Sequence, residues 1–320
     1  MAFRRSWVRI PSAPNFIYNS KMFNKIFHKH IQKLITQSEI LKLTKDSKII
    51  IFSDCHRGSG NRADDFFHNQ IIFLAAMDFY QNNGFTYIEI GDGDELWENA
   101  NFELVKERYR SIYEIFDELH RENRFFMLWG NHNRRWKSRK KTDKQLTSII
   151  DEKTGEKKNI FDGISVTESL ILKSDNKGVK DILLIHGHQG EILNDFLWWF
   201  GRFFIKIFWK SFQMRFGVAD PTSPAMNYRT RRNVDKRFIE IAQNNNLSVI
   251  VGHTHFPIFP AKGEPSYFND GSCVHPRCIT GIEIENEKIA LVKWHRKISS
   301  DGRMNIEKKI LEGPMALTEI

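Results

Sequence analysis

Five short polar motifs in this chain each close an apolar run: SDCH at 53–56, GDGD at 91–94, GNHN at 130–133, HGH at 186–188 and GHTH at 252–255. They are built from aspartate, asparagine and histidine, whose carboxylate, amide and imidazole atoms are ligands for manganese, iron, zinc or similar divalent ions. Cys55, Cys273 and Cys278 form no CxxC pair, so neither a structural zinc site nor a disulfide framework is indicated. A single histidine after a strand is more often a hydrogen-bonded loop residue than a ligand. Five such sets in order are hard to obtain by accident, and they nominate Asp54, His56, Asp92, Asn131, His132, His186, His253 and His255 as one constellation.

The elements that must position these tips follow from periodicity. Residues 48–53, 85–90, 124–129, 181–185 and 247–251 are apolar runs of strand length, and 164–172 is a further one. Between them, 64–84 reads as a helix closed by Gly84, and 101–123 as a helix with a glutamate-rich outer face. Residues 233–244 form a third helical stretch. Strand, polar tip and helix recur three times, which indicates a layered α/β fold with its site at the carboxyl ends of the strands. Runs at 279–284 and 288–294 predict a hairpin added to a sheet.

A chain of 320 residues can bury a large core, and its net charge of +9 suggests an anionic partner such as a phosphorylated substrate, anionic lipid or nucleic acid. No apolar run reaches the ~20 residues of a membrane span. A cytoplasmic location is expected, with peripheral attachment to the inner membrane face left open. Residues 134–158 carry ten Lys or Arg against four Asp or Glu. The basic excursion 134–160 is therefore read as solvated, a phosphate-attracting rim being its functional alternative. At the N-terminus, 8–14 (VRIPSAP) resembles the T-arm end of a tRNA gene read through as protein. That makes Met22 the expected start and 1–21 a non-native or disordered extension. Residues 22–46 read as a basic amphipathic helical segment, with Phe23, Ile26, Phe27, Ile31 and Leu34 at helical spacing, docked on the body or lying on a surface.

The order DxH, GDxxx, GNH, H, GHxH resembles the calcineurin-like metallophosphoesterase family over roughly residues 48–294. The resemblance implies a four-layer sandwich, two β-sheets flanked by helices, occupying 47–320 with a helical insertion or cap. It also implies two divalent metal ions, manganese first and iron or zinc as alternatives. Carried over, Asp54, His56 and His255 hold the first ion, Asp92 bridges, and Asn131, His186 and His253 hold the second. Two ions ~3.5–4 Å apart clamp phosphoryl oxygens and activate a hydroxide for in-line attack. The resemblance also places His132 beside the phosphate, where it would help to stabilise or protonate the leaving oxygen, so His132, Asn133 and Asp92 are the expected catalytic set. The family commonly has an acid after GNH to orient that histidine, whereas this chain has Asn133. An amide cannot stabilise imidazolium as a carboxylate does, so Asp94, Glu95 and Glu98 are the candidates to supply the charge. His253 and His255 are expected to alternate in extended backbone with Thr254 pointing away. Arg57 and Arg62 are candidate phosphate contacts, and the NDGS turn at 269–272 is expected to brace the site.

The substrate falls to the insertion 189–232, which contains FLWWFGRFFIKIFWKSF at 196–212. On a helical wheel it has a wide apolar face and a basic stripe of Arg202, Lys206 and Lys210. Trp198, Phe203 and Phe204 are its candidate substrate contacts. The arrangement is similar, more loosely, to the UDP-2,3-diacylglucosamine pyrophosphatase-like branch, which implies a lipid-linked substrate and an anionic membrane surface. HGHQGE departs from the HGD pattern of that branch. A protein phosphatase, a nuclease or nucleotide phosphodiesterase, and an enzyme that uses the aromatic segment to form a homodimer are the alternatives. Nucleic acid ranks lower because it favours scattered exposed aromatics over one contiguous apolar face.

Overall fold

The computed structural model describes residues 20–150, 154–191, 228–299 and 301–320. Its core is two facing sheets. One contains β2 (Ile49–Phe52), β3 (Thr86–Ile90), β4 (Phe125–Leu128) and β7 (Val166–Thr167), all in parallel, and is extended by β12 (Cys278–Glu285), β13 (Lys288–Ile298) and β14 (Met304–Ala316) in the order β14-β13-β12-β2-β3-β4-β7. The other runs β1-β8-β9-β10-β11, with β1 (Glu39–Leu43), β8 (Ser169–Ser174), β9 (Ile182–Ile185), β10 (Ser248–Val251) and β11 (Tyr267–Asn269).

The strands are apolar throughout because both of their faces are covered. In β2, Ile49 and Ile51 point into the layer between the sheets, while Ile50 and Phe52 point to the helices. Strand β9 divides the same way, Ile182 and Leu184 between the sheets and Leu183 and Ile185 outward. Outside the first sheet lie α2 (Gln70–Asn82), α3 (Phe102–Arg108) and α4 (Arg110–Arg121), which supply Phe73, Met77, Phe102, Ile112 and Phe116 to one core. Outside the second lie α1 (Ser20–Gln37) and α6 (Tyr228–Asn245), where Phe27 meets Phe238 edge to face at 5.5 Å. Helix, sheet, sheet, helix is the four-layer sandwich expected.

Three readings change. The segment 22–46 is not helical throughout: α1 stops at Gln37 and β1 pairs in parallel with β8, so the second half is an edge strand. Helix α1 docks through Phe27 and Ile31, which are buried, while Ile26 faces solvent. The excursion 134–160 is built rather than loosely solvated. It contains a short 3-10 turn at Arg134–Lys137, α5 (Arg139–Gln145) and the hairpin of β5 (Ser148–Ile150) with β6 (Lys157–Asn159), held by buried Trp136, Leu146, Ile149 and Ile160. The added hairpin acquires a third strand, β14, paired along β13. No helix among the described residues is long and apolar enough to cross a membrane. The insertion 189–232 falls almost wholly outside the described residues, and Trp198, Phe203 and Phe204 with it.

Candidate metal centre

The tips of β2, β3, β4, β9 and β10 converge. Ligand-type atoms of Asp54, His56 and His255 lie within 4.8 Å of one another, and so do those of Asp92, His186 and His253. Asp92 also clusters with His56 and His132, so its carboxylate stands between the two groups. All of these residues are buried except His132 and His255, which are half-buried.

Backbone geometry aims the side chains. Asp54, His56, Asp92, His253 and His255 all have φ between 49° and 66°, the left-handed region. Such values are uncommon for residues with a side chain and gather at functional sites. They also correct the extended reading of GHTH: both histidines turn back on the strand end, and Thr254 accepts a hydrogen bond from Asn269 Nδ2 at 3.0 Å. The turns are laced together by Asp54 N–H to Gly91 O (3.1 Å) and His56 N–H to Asp92 O (2.9 Å). Glycine is required where backbone meets ligand. A Cβ on Gly130 would stand 2.2 Å from Asp92 Oδ1, and one on Gly252 would stand 2.6 Å from Asp54 Oδ2.

The donor set fits metal. Asp54 Oδ2 is taken by Ser53 Oγ (2.5 Å) and His253 N–H (2.7 Å), which leaves Oδ1 facing His255 Nε2 at 3.1 Å and His56 Nε2 at 3.6 Å. His186 donates Nδ1–H to Ile90 O (2.9 Å), so its Nε2 carries a lone pair 3.0 Å from Asp92 Oδ2. Asp54 Oδ1, Asn131 Oδ1, His186 Nε2 and His253 Nε2 are buried without a hydrogen-bond partner. Asp54 Oδ1, His186 Nε2 and His253 Nε2 belong to the two clusters, and unsatisfied buried acceptors gathered in this way are costly unless a cation lies among them. Such a cluster can hold one or two divalent cations.

The electrostatics agree. Burial opposes ionisation of Asp54, but His255 and His186 hold its carboxyl well below the usual range. Asp92 is likewise lowered by His186 and His132 against burial. Burial disfavours imidazolium at His186, yet Asp92 and Asp54 raise it, the same negative field that attracts a metal ion.

His132 lies at the rim with a quarter of its side chain exposed, stacked on Trp97 at 4.1 Å. Its backbone N–H donates to Asp92 Oδ1 (2.8 Å) and its Nδ1 lies 2.6 Å from Glu95 Oε2. The same Glu95 oxygen is 3.0 Å from His56 Nδ1, so one carboxylate orients both rings. Asn133 is a correction: fully buried, it accepts from Gly130 N–H at 2.6 Å and braces the loop from beneath instead of facing the reaction. Of the three carboxylates offered as its substitute, Glu95 touches His132, and Asp94 is occupied by Arg57, Tyr113 and Trp136.

Arg57 is a second correction. It is fully buried, paired with Glu89 at 2.7 and 2.8 Å and with Asp94 at 3.0 Å, so it ties the first two tips together beneath the site and offers no group to a substrate. Arg62 is exposed on the loop after it. The NDGS turn does brace the centre: Asn269 Nδ2 donates to Gly252 O at 2.8 Å, and Asp270 Oδ1 accepts from Ser53 Oγ at 2.8 Å. Sequence reasoning missed Glu191, 3.1 Å from His253 Nε2, and His188, a buried imidazole that burial and the neighbouring His186 keep neutral. Their only signal was position in HGHQGE, directly after a nominated ligand.

An α/β sandwich with such a cluster at its strand tips defines a metal-dependent hydrolase. The calcineurin-like phosphoesterase family profile matches residues 47–257, well over half of the chain, and the chain belongs to that family. No curated protein matches it. Among solved structures it is similar to a predicted phosphoesterase from Streptococcus pneumoniae, with 14% identity over 82% of this chain and 97% of that one and a TM-score of 0.33. It is similar as well to vacuolar protein sorting 29 from Cryptosporidium parvum (11%, 83% and 98%, 0.36) and to the sulfate thiohydrolase SoxB of Thermus thermophilus (10%, 85% and 57%, 0.31).

Proposed function

We propose that this protein hydrolyses a phosphoester or phosphoric anhydride bond with two divalent ions, manganese first among the candidates. Asp54, His56 and His255 would hold one ion, Asn131, His186 and His253 the other, and Asp92 both. The four buried acceptors without partners carry this reading. Bound ions would supply a nucleophilic hydroxide and neutralise phosphoryl charge. His132, at the rim and backed by the Glu95 carboxylate, holds a proton where a leaving oxygen departs. Trp97, stacked on the ring at 4.1 Å, limits its rotation. Replacing Asp92→Asn should abolish metal-dependent release of p-nitrophenol from p-nitrophenyl phosphates, and retained turnover would refute the assignment.

A lipid-linked substrate at an anionic membrane surface rests on the sequence of 196–212 and its distance of only a few residues from His186 and Glu191. Polar replacements of Trp198, Phe203 and Phe204 should lower liposome binding and turnover of an acylated substrate more than turnover of a small chromogenic ester. Equal losses would favour a core or homodimer role for the segment.

A further inference from the structure

We propose that the cleft beside His132 is a subsite for a second phosphate, one carried by the leaving group; this rests on the phosphoesterase reading above. The cleft measures about 260 Å³ and is lined by His132, Trp97 and four cations, Arg134, Arg135, Lys137 and Lys141, with no carboxylate among its lining residues. All four cations come from one short segment whose position is fixed. Trp136, buried within that segment, donates Nε1–H to Asp94 at 2.9 Å and accepts at its carbonyl from Thr142 Oγ1 at 3.0 Å. The guanidinium of Arg134 and the ammonium of Lys137 both lie over the Trp129 ring, at 5.7 and 5.1 Å. Arg135 is tied to Ala100 O at 3.1 Å. Lys137 also lowers the Glu168 carboxyl from a distance, while no carboxylate forms an ion pair with Lys141 among the described residues.

Position assigns the role. His132 lines the cleft and donates its backbone N–H to Asp92 Oδ1 at the centre, so the group that leaves phosphorus after taking its proton departs along the cations. In the reaction, water adds its oxygen to the scissile phosphorus and the bond from phosphorus to the leaving oxygen breaks. That oxygen takes the His132 proton, and the proton lost by water passes to solvent. A neutral leaving group would bring no counter-charge to a cleft whose lining carries four cations and no carboxylate. A phosphorylated one would be held by charge-assisted bonds, with guanidinium and ammonium sharing its oxygens.

The test is calorimetric binding to the manganese-loaded full chain. Two probes share a nucleoside and differ by one phosphoryl group: adenosine monophosphate and the non-hydrolysable adenosine α,β-methylene diphosphate. The diphosphonate should bind the native protein at least about tenfold more tightly, and Lys137→Gln with Lys141→Gln should cut that advantage below about threefold. Both lysines are exposed and glutamine keeps most of each side chain's length, so the change removes charge and, at Lys137, its contact with the Trp129 ring, but no buried packing. Lys137→Glu with Lys141→Glu should abolish the advantage. An advantage unchanged in these variants, or absent from the native protein, would overturn the subsite. Turnover of p-nitrophenyl phosphate by the same preparation judges the reaction separately: turnover without a binding advantage refutes the subsite alone, and an advantage without turnover refutes the reaction alone.

Discussion

Replacing Glu95→Gln should penalise poor leaving groups far more than good ones. Glu95 Oε2 is 2.6 Å from His132 Nδ1 and 3.0 Å from His56 Nδ1, and His132 and His56 hold its carboxyl below the ordinary glutamate range although burial works the other way. A hydrogen bond to a charged group contributes about 1.5–3 kcal/mol, which at the transition state is roughly a 10- to 150-fold change in rate. An amide keeps the hydrogen bond and loses the charge, so its effect should sit toward the lower end. That loss applies where the leaving oxygen needs the proton. The assay compares kcat/KM for p-nitrophenyl and alkyl esters of phosphate at saturating manganese, with metal affinity measured separately because His56 shares the oxygen. Alkyl esters should lose about tenfold or more and p-nitrophenyl esters little. A uniform loss across the series would mean that Glu95 only holds the fold, and no loss would remove it from the mechanism. Asn133→Asp in the Glu95→Gln background should restore nothing, since the Asn133 side chain is buried beneath the loop on Gly130 N–H.

Chelation should lower thermal stability and manganese should restore it, by about 2.7 kcal/mol at a hundredfold excess over Kd; an unchanged melting curve would argue against a resident ion. Arg57→Met should cost about 3–5 kcal/mol in urea unfolding, because it leaves the buried Glu89 and Asp94 without their cation; a loss under about 1 kcal/mol would refute the tie between tips. Burial raises Glu168, but hydrogen bonds from His30 and Gln189 hold it below the ordinary glutamate value, which is a lowered folded pKa. Its stabilisation is therefore present above the unfolded value and lost as the pH falls through the folded one. The melting temperatures of the native protein and Glu168→Gln should differ near neutrality and converge in acid, and a constant gap would count against the pairing.

The buried strands and their ligand tips were legible because strands covered on both faces must be continuously apolar, so the first polar residue after each marks its end. Other elements gave weaker signals. Strand β14 is mostly exposed, with glycine and proline near its end, and only the scattered Ile306, Leu311 and Met315 pack against the cores. In 134–160 the lysines and arginines dominate the composition while a few buried side chains, Trp136 and Leu146 among them, set the structure. The ends of 22–46 were misjudged because Glu39–Leu43 is an edge strand with only Leu43 buried, a pattern close to that of a helix's last turn. Arg57 and Asn133 illustrate a different limit. Residue type and position suited both for chemistry, but which way a side chain turns depends on partners far along the chain, such as Glu89 for one and Gly130 N–H for the other.

The left-handed backbone at five of the seven nominated ligands connects the site to stability. Glycine would remove the clustered side chains at those positions, so a residue with a side chain takes the left-handed conformation there at a cost of order 1–3 kcal/mol each. Part of that is offset by bonds that join one tip to another: Asp54 N–H to Gly91 O, His56 N–H to Asp92 O, Arg57 N–H to Gly93 O, Gly252 N–H to His186 O and Cys273 N–H to Asp54 O. These bonds cross between segments, so no tip is held by its own strand alone. The buried acceptors of Asp54, Asn131, His186 and His253 add a further cost that no hydrogen bond relieves. A cation bound among them would remove that cost and draw the tips together, so binding energy at the centre would also be folding energy of the loops that form it. The same reasoning explains the glycines before Asp92, Asn131 and His253: backbone packed this closely on ligand atoms leaves no room for a Cβ.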